Sequence, residues 1–290
     1  MTETKRKIVL FLGLTFGLSA ITWIPQIGAG TIHPLWILAT MWCPAIAAIV
    51  TRLITQGNLR GFGWRSGKMK WLALAYILPL FYALPVYLIA WSSGLGVFDE
   101  GKWIVLPGFT PLTGLVMIVT AGLAASLLSA TGEEIGWRGF LVPEMLKMTS
   151  FQRTALLSGA VWAIWHMPLI VFADYRGHGT PLIYSILCFA AMIVGLSVIM
   201  AWITVKSGSF WPAAMLHATH NLFVQGVFDS ATVTDDTSAY WTGEFGVGLA
   251  ISVAVAAALC LRFSPVGDLT HEKGADPKDR PSFEPTEPAA

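Results

Sequence analysis

Long apolar runs, separated by short polar stretches, set the pattern of this chain. They cover Ile8 to about Ile27, about Leu35 to Ile54, about Trp71 to Trp91 and about Leu112 to Ala130. Four more follow, at about Thr154 to Phe172, Pro181 to Val205, Phe210 to Phe228 and Phe245 to Phe263. Each is about 20 residues long, enough for a helix to cross the hydrocarbon of a bilayer. The pattern predicts an all-α polytopic membrane protein with eight transmembrane helices. Lys5-Arg6-Lys7 ahead of the first run would suit a signal peptide, but the run is long for one and Gly28-Ala29-Gly30 is a weak cleavage site. An uncleaved first span is the better reading. Pro79 and Pro85 in the third run are kinks that membrane helices tolerate.

The polar stretches divide the chain further. Residues 1–111 carry the first three spans and their loops. Residues 112–228 hold the fourth to seventh spans, with a short amphipathic stretch to about Ser150 after the fourth. Residues 229–263 comprise an acidic loop and the last span. Residues 264–290 are rich in Pro and charge and cannot bury a core, which predicts disorder.

Composition supports the membrane class. Hydrophobic residues make up 55% of the 290 and charged residues 12%, against roughly 25% charge in soluble domains. A net charge of +1 says nothing about nucleic acid, and no basic cluster suggests it, so no nucleic-acid partner is expected. Cys43, Cys188 and Cys260 are odd in number, lie in apolar runs and form no C-x-x-C, so they read as small hydrophobes.

With the N-terminus inside, sixteen of the eighteen Lys and Arg residues fall on the cytoplasmic side, and only Lys102 and Arg176 fall outside. Cytoplasmic loops carry the excess of Lys and Arg. The bias puts both termini in the cytoplasm, the protein in the plasma (inner) membrane, and the Glu133 end of the fourth span at the cytoplasmic side.

Three segments stand out against this apolar background. In Thr131-Gly132-Glu133-Glu134-Ile135-Gly136-Trp137-Arg138, Glu134 and Arg138 are four apart and share a helical face, acid before base, the favourable order for an ion pair. Glu133 projects about 100° away, free for chemistry. In Trp162-Ala163-Ile164-Trp165-His166 the first and last residues share a face. In His217-Ala218-Thr219-His220-Asn221, His217 and Asn221 point the same way and His220 lies nearby as a supporting residue. Ionisable groups at membrane depth are costly and mark functional sites. The plainer readings are a juxtamembrane ion pair, a core histidine and an interhelical polar clamp.

Taken together the set could hydrolyse an acyl bond. Glu133 with His166 would take a proton from water, and His217 and Asn221 would donate to the tetrahedral oxyanion. A second version uses zinc, because Glu133, His166 and His217 have the ligand types of an open catalytic site, although no H-E-x-x-H is present. The residues leave both versions open.

These segments together resemble the CPBP family of intramembrane proteases, the type II CAAX prenyl endopeptidases and their bacteriocin-processing, immunity and Abi-like relatives. The family motifs read here as Glu133-Glu134-x-x-x-Arg138, Trp162-x-x-x-His166 and His217-x-x-x-Asn221, with Trp162 where Phe is frequent. The resemblance covers about Leu112 to Phe228. It implies an eight-helix fold and a conical cavity open to the cytoplasm and to lipid. It also implies cleavage of a membrane-associated protein or peptide, such as a prenylated CAAX-like protein. Glu133 would be the activating base, His166 its assistant, and His217 and Asn221 the oxyanion donors. Glu134 and Arg138 would support them. The cofactor is zinc or none, and the partners are the bilayer and a membrane-associated substrate. The alternatives are a non-catalytic scaffold or bacteriocin-immunity factor of the same fold, and a proton-coupled transporter. Transporters are often built from internal repeats, and none is visible.

Overall fold

The structure, a computed structural model, describes residues 1–101, 110–176, 179–233 and 235–263. The protein is an all-α polytopic membrane protein. Six helical stretches are long and apolar enough to span a bilayer. They include α1 (Glu3–Ala29), α2 (Pro34–Gln56) and α3 (Met69–Ser93). The fourth is a rod, Leu112–Leu146. It is assembled from α4 (Pro111–Met117), α5 (Leu123–Gly136) and α6 (Val142–Leu146) through π-helical turns at Ile118–Gly122 and Trp137–Leu141. The last two are α7 (Phe151–Phe172) and α8 (Leu182–Ser207). The seventh apolar run forms α9 (Trp211–Asn221), which continues as a π-helical segment, Leu222–Asp229. After a single turn, α10 (Ser238–Trp241), the eighth run is the shorter helix α11 (Val247–Arg262).

Two sequence expectations need correction here. The fourth span does not stop near Ala130. The Glu133 segment continues it as helix to Leu146, so Glu133 lies inside the rod and not at its cytoplasmic end. The supposed amphipathic stretch is part of the same rod, because π turns and not loops follow Gly136. Gly13 and Gly17, four apart on α1, stand clear of other helices: a methyl group at either would meet nothing within 4 Å. The expected disorder of residues 264–290 lies outside the described residues.

The close approach sits elsewhere, at Gly132 and Gly136. A Cβ on Gly136 would stand 2.4 Å from Pro44 Cβ, and one on Gly132 would stand 2.7 Å from the Met41 carbonyl. Small residues four apart let two membrane helices touch backbone to backbone. Here they seat α5 on α2 on either side of the two glutamates.

The ends of the helices form two faces. On one, Arg52 reaches Glu144 (3.5 Å) and the Gly61 carbonyl (3.2 Å), Lys147 pairs with Glu144 (2.8 Å), and Trp211 donates to the Trp64 carbonyl (2.8 Å). On the other, strand β1 (Val97–Phe98) pairs antiparallel with β2 (Thr232–Val233). Trp91 donates to Thr232 there (3.0 Å), and Tyr184 donates to the Tyr240 carbonyl (2.6 Å). The acidic loop expected at 229–244 is therefore folded onto the bundle and not a free hydrophilic excursion.

Candidate active site

A cavity of about 320 Å³ opens between α2, α5, α7, α8 and α9. Glu133, His166, His217 and Asn221 all line it, together with Trp162 and His220. Glu134 and Arg138 are fully buried beside Glu133, outside the cavity lining, as are Trp137 and Phe140. The chain thus brings all eight residues named from the sequence to one place.

The two glutamates are held differently. Glu134 Oε1 accepts from Arg138 Nη1 (2.9 Å) and from His217 Nδ1 (2.9 Å). The pairing of Glu134 with Arg138 follows from their i,i+4 spacing on α5. Glu133 Oε2 instead accepts from two indoles, Trp162 Nε1 at 2.6 Å and Trp137 Nε1 at 3.3 Å. The Arg138 guanidinium lies 4.3 Å from the centroid of the Trp162 ring, a cation–π contact that ties the base of the site together. Buried charges need pairing and hydrogen bonds: Glu134 has both on Oε1, with Oε2 unpartnered, while Glu133 has two N–H donors and no ion pair among the described residues.

Hydrogen-bond logic fixes the ring protons. His166 Nδ1 lies 2.8 Å from the Trp162 carbonyl, which only accepts, so Nδ1 carries the proton and Nε2 is left as a basic nitrogen. His217 Nδ1 faces the Glu134 carboxylate and must donate too. A donor at His217 Nε2 then requires the doubly protonated ring, with Glu134 as its counter-charge. The Trp162 ring meets both imidazoles edge-on, at 5.7 Å from His166 and 5.3 Å from His217.

Both helices that carry the acid and the third motif leave α geometry just past it. The π turn Trp137–Leu141 follows the glutamates, and the π segment Leu222–Asp229 follows Asn221. Such wider turns re-aim side chains and cluster at functional sites.

Sequence reasoning missed a second polar group on the wall. Glu244, from the loop before α11, is buried at the cavity. His220 Nε2 donates to it (3.2 Å), as does Gln225 Nε2 (3.0 Å), and the Tyr82 hydroxyl is hydrogen-bonded to His220 Nδ1 (2.9 Å). Burial works to raise the Glu244 pKa, but His220, by hydrogen bond and charge, and Gln225 outweigh it and hold the carboxyl below its ordinary value. Nothing local in the sequence marks Glu244, since an acidic loop reads as solvated. Trp137 could have been found, because it stands four residues after Glu133 on the same helix.

Zinc does not fit the residues as they stand. Among the described residues no three of His, Cys, Asp and Glu converge to hold a metal ion. The Glu133 oxygen Oε2 is already occupied by two N–H donors, while the Nδ1 bonds of His166 and His217 leave Nε2 of each ring uncommitted.

Residues 113–223 match the family model described as type II CAAX prenyl endopeptidase, Rce1-like. A CAAX prenyl protease 2 of Methanococcus maripaludis is 31% identical over 121 residues, covering 40% of this chain. The chain spans less than half, 43%, of that relative's length.

Proposed function

We propose that the protein is an intramembrane endopeptidase that cleaves a membrane-associated protein or peptide, a reading supported by the match of residues 113–223 to the Rce1-like model. The observation that carries this reading is the Glu133 carboxylate, buried on the wall of the one cavity that also holds His166, His217 and Asn221. The indoles of Trp162 and Trp137 fix Oε2; Oε1 takes the proton of a water in the cavity as that water attacks the peptide carbonyl carbon. His166 Nε2, the free basic nitrogen, orients the water as an acceptor. The carbonyl oxygen gathers negative charge, which His217 Nε2–H and the Asn221 side-chain amide receive. Preorganised donors of this kind are commonly the largest catalytic term. The Glu133 proton then passes to the leaving amine as the C–N bond breaks. No step needs a metal, and Glu134 with Arg138 holds His217 in place.

The experiment is a cleavage assay of the detergent-purified protein against prenylated and plain peptides. Glu133→Gln keeps the shape and the indole contacts but cannot take a proton. Loss of a general base costs about 10²–10⁴-fold, so kcat should fall by that much while the melting temperature holds. If wild type cleaves nothing that Glu133→Gln leaves whole, the non-catalytic scaffold reading takes its place. We also read the protein as lying in the plasma membrane with the N-terminus cytoplasmic, on the strength of its basic-residue bias.

A further inference from the structure

We propose that the cavity opens on the extracytoplasmic side of the membrane, so that its substrates are segments presented from that side or from the outer leaflet. This is the reverse of the cytoplasmic opening that the family resemblance implies. Two independent observations lead here, one from the cavity and one from the distribution of charge.

The cavity has a closed end and an open end. Below Glu133 the side chains of Arg138, Trp137 and Phe140 are buried and lie outside its lining, and Phe62 packs on Phe140. On that side Gly136 is seated closely on Pro44, so α5 and α2 touch backbone to backbone there. Above Glu133 the lining climbs to the opposite ends of the helices. It reaches Pro34, exposed at the turn into α2, Tyr175 after α7, and Glu244 before α11. Glu133 sits level with Met41 and Trp42, about 11 Å below the start of α2 at 1.5 Å per residue. A second, polar cavity of about 330 Å³ shares Tyr175, Gln225 and Glu244 with the first. It is lined by Arg176, Thr180 and Asp229 and extends the same path outward through the loops at that face. Both cavities therefore lie toward the face that carries β1, β2 and α10.

The charge lies at the other face. Thirteen of the fourteen Lys and Arg among the described residues belong to the closed side, with Arg176 the exception. This side holds the start of α1, the end of α2, the loop from Arg60 to Lys70, the α6–α7 turn and the ends of α8 and α11. Lys and Arg near span ends set orientation and mark the cytoplasmic side, whereas Asp and Glu contribute little. The closed side is therefore cytoplasmic and the mouth extracytoplasmic. A prenylated carboxyl terminus in the cytoplasm would meet the end of the bundle away from both cavities. The orientation stands on these observations alone; its consequence for substrates rests on the endopeptidase reading.

Cysteine labelling tests the orientation without reference to catalysis. Single cysteines would be placed in the full chain at Ile32 and Thr237 on the mouth side, at Ile37 in the cavity wall, and at Ser66 on the basic loop. Intact bacterial cells expressing each variant would be treated with a membrane-impermeant maleimide, before and after permeabilisation. The parent chain with its three cysteines serves as blank. We expect Ile32→Cys, Thr237→Cys and Ile37→Cys to label in intact cells, and Ser66→Cys only after permeabilisation. The opposite pattern, or labelling of Ser66→Cys in intact cells, overturns the proposal. Right-side-out vesicles given a lipid-anchored peptide from outside supply the second arm. Mouth labelling without cleavage, in vesicles and in detergent alike, would leave the orientation standing and remove the endopeptidase reading. Cleavage in detergent but never from outside would overturn the substrate consequence.

Discussion

Trp162 serves the site through three parts of one residue. Its indole N–H donates to Glu133 Oε2 at 2.6 Å, its carbonyl accepts from His166 Nδ1 at 2.8 Å, and its ring lies 4.3 Å from Arg138. Trp162→Phe removes only the first contact. A hydrogen bond to a charged group contributes about 1.5–3 kcal/mol, and 1.36 kcal/mol is tenfold in rate. The variant should therefore lose about tenfold or more in kcat in the peptide-cleavage assay, with KM little changed. An unchanged kcat would remove the indole from the account of how Glu133 is held. At this scale the sequence was informative within helices and silent between them. The spacing of Glu134 to Arg138 and of Trp162 to His166 lies along one helix, where 3.6 residues per turn decides which side chains meet. The bond from Trp162 to Glu133 depends on how α7 is set against α5, and no local pattern encodes that. Glu244 was illegible for the same reason.

Elements are positioned by their small residues. Gly132 and Gly136 flank the glutamates, and both would place a Cβ well inside contact distance of α2. A methyl at Gly136 must push α2 away or turn α5, because Pro44 Cβ and the Pro44 backbone are what it meets. Overpacking of this kind costs about 1–3 kcal/mol. Gly136→Ala should lower the melting temperature of the detergent-solubilised protein and reduce cleavage together, since the glutamates ride on the displaced helix. Gly13→Ala, where a methyl meets nothing, should change neither, and equal effects from the two would show that the packing argument is wrong. Hydropathy locates apolar stretches well, which is why the helix-rich membrane class was readable from the pattern of runs. It cannot tell that Leu112 to Leu146 is one rod, because the turns at Ile118–Gly122 and Trp137–Leu141 change the helix type without any loop residues. The charges at Glu133, Glu134 and Arg138 looked like the end of a span. They are tolerated inside one because they pair with one another and with indoles.

For the molecule as a whole, the loop between α9 and α11 decides how the mouth is built, and it carries a titrating group. Asp229 accepts a hydrogen bond of 2.5 Å from the Tyr87 hydroxyl on α3, and that hydroxyl accepts from the Gly243 N–H at 3.1 Å. The Tyr87 hydroxyl thus ties α3 both to the Asp229 carboxyl and to the Gly243 turn, next to Glu244. Burial pushes the Asp229 carboxyl up to about 7; the Tyr87 hydrogen bond opposes this and the Glu244 charge adds to it. An unfolded Asp titrates near about 3.9. Between these values the folded chain holds a proton that the unfolded chain has released, so stability falls as pH rises through the window. Below the window both states are protonated, and above about 7 both are ionised, so the dependence levels off at each end. Glu244, held below its ordinary value, stays ionised across the window and does not mask the effect. Asp229→Asn keeps the hydroxyl partner and cannot ionise. The melting temperature of the variant minus that of wild type should therefore grow steadily from pH 4 to about 7 and then hold constant. A difference that stays flat over that range would mean that Asp229 is ionised throughout and that Tyr87 is held by a carboxylate and not by a protonated carboxyl.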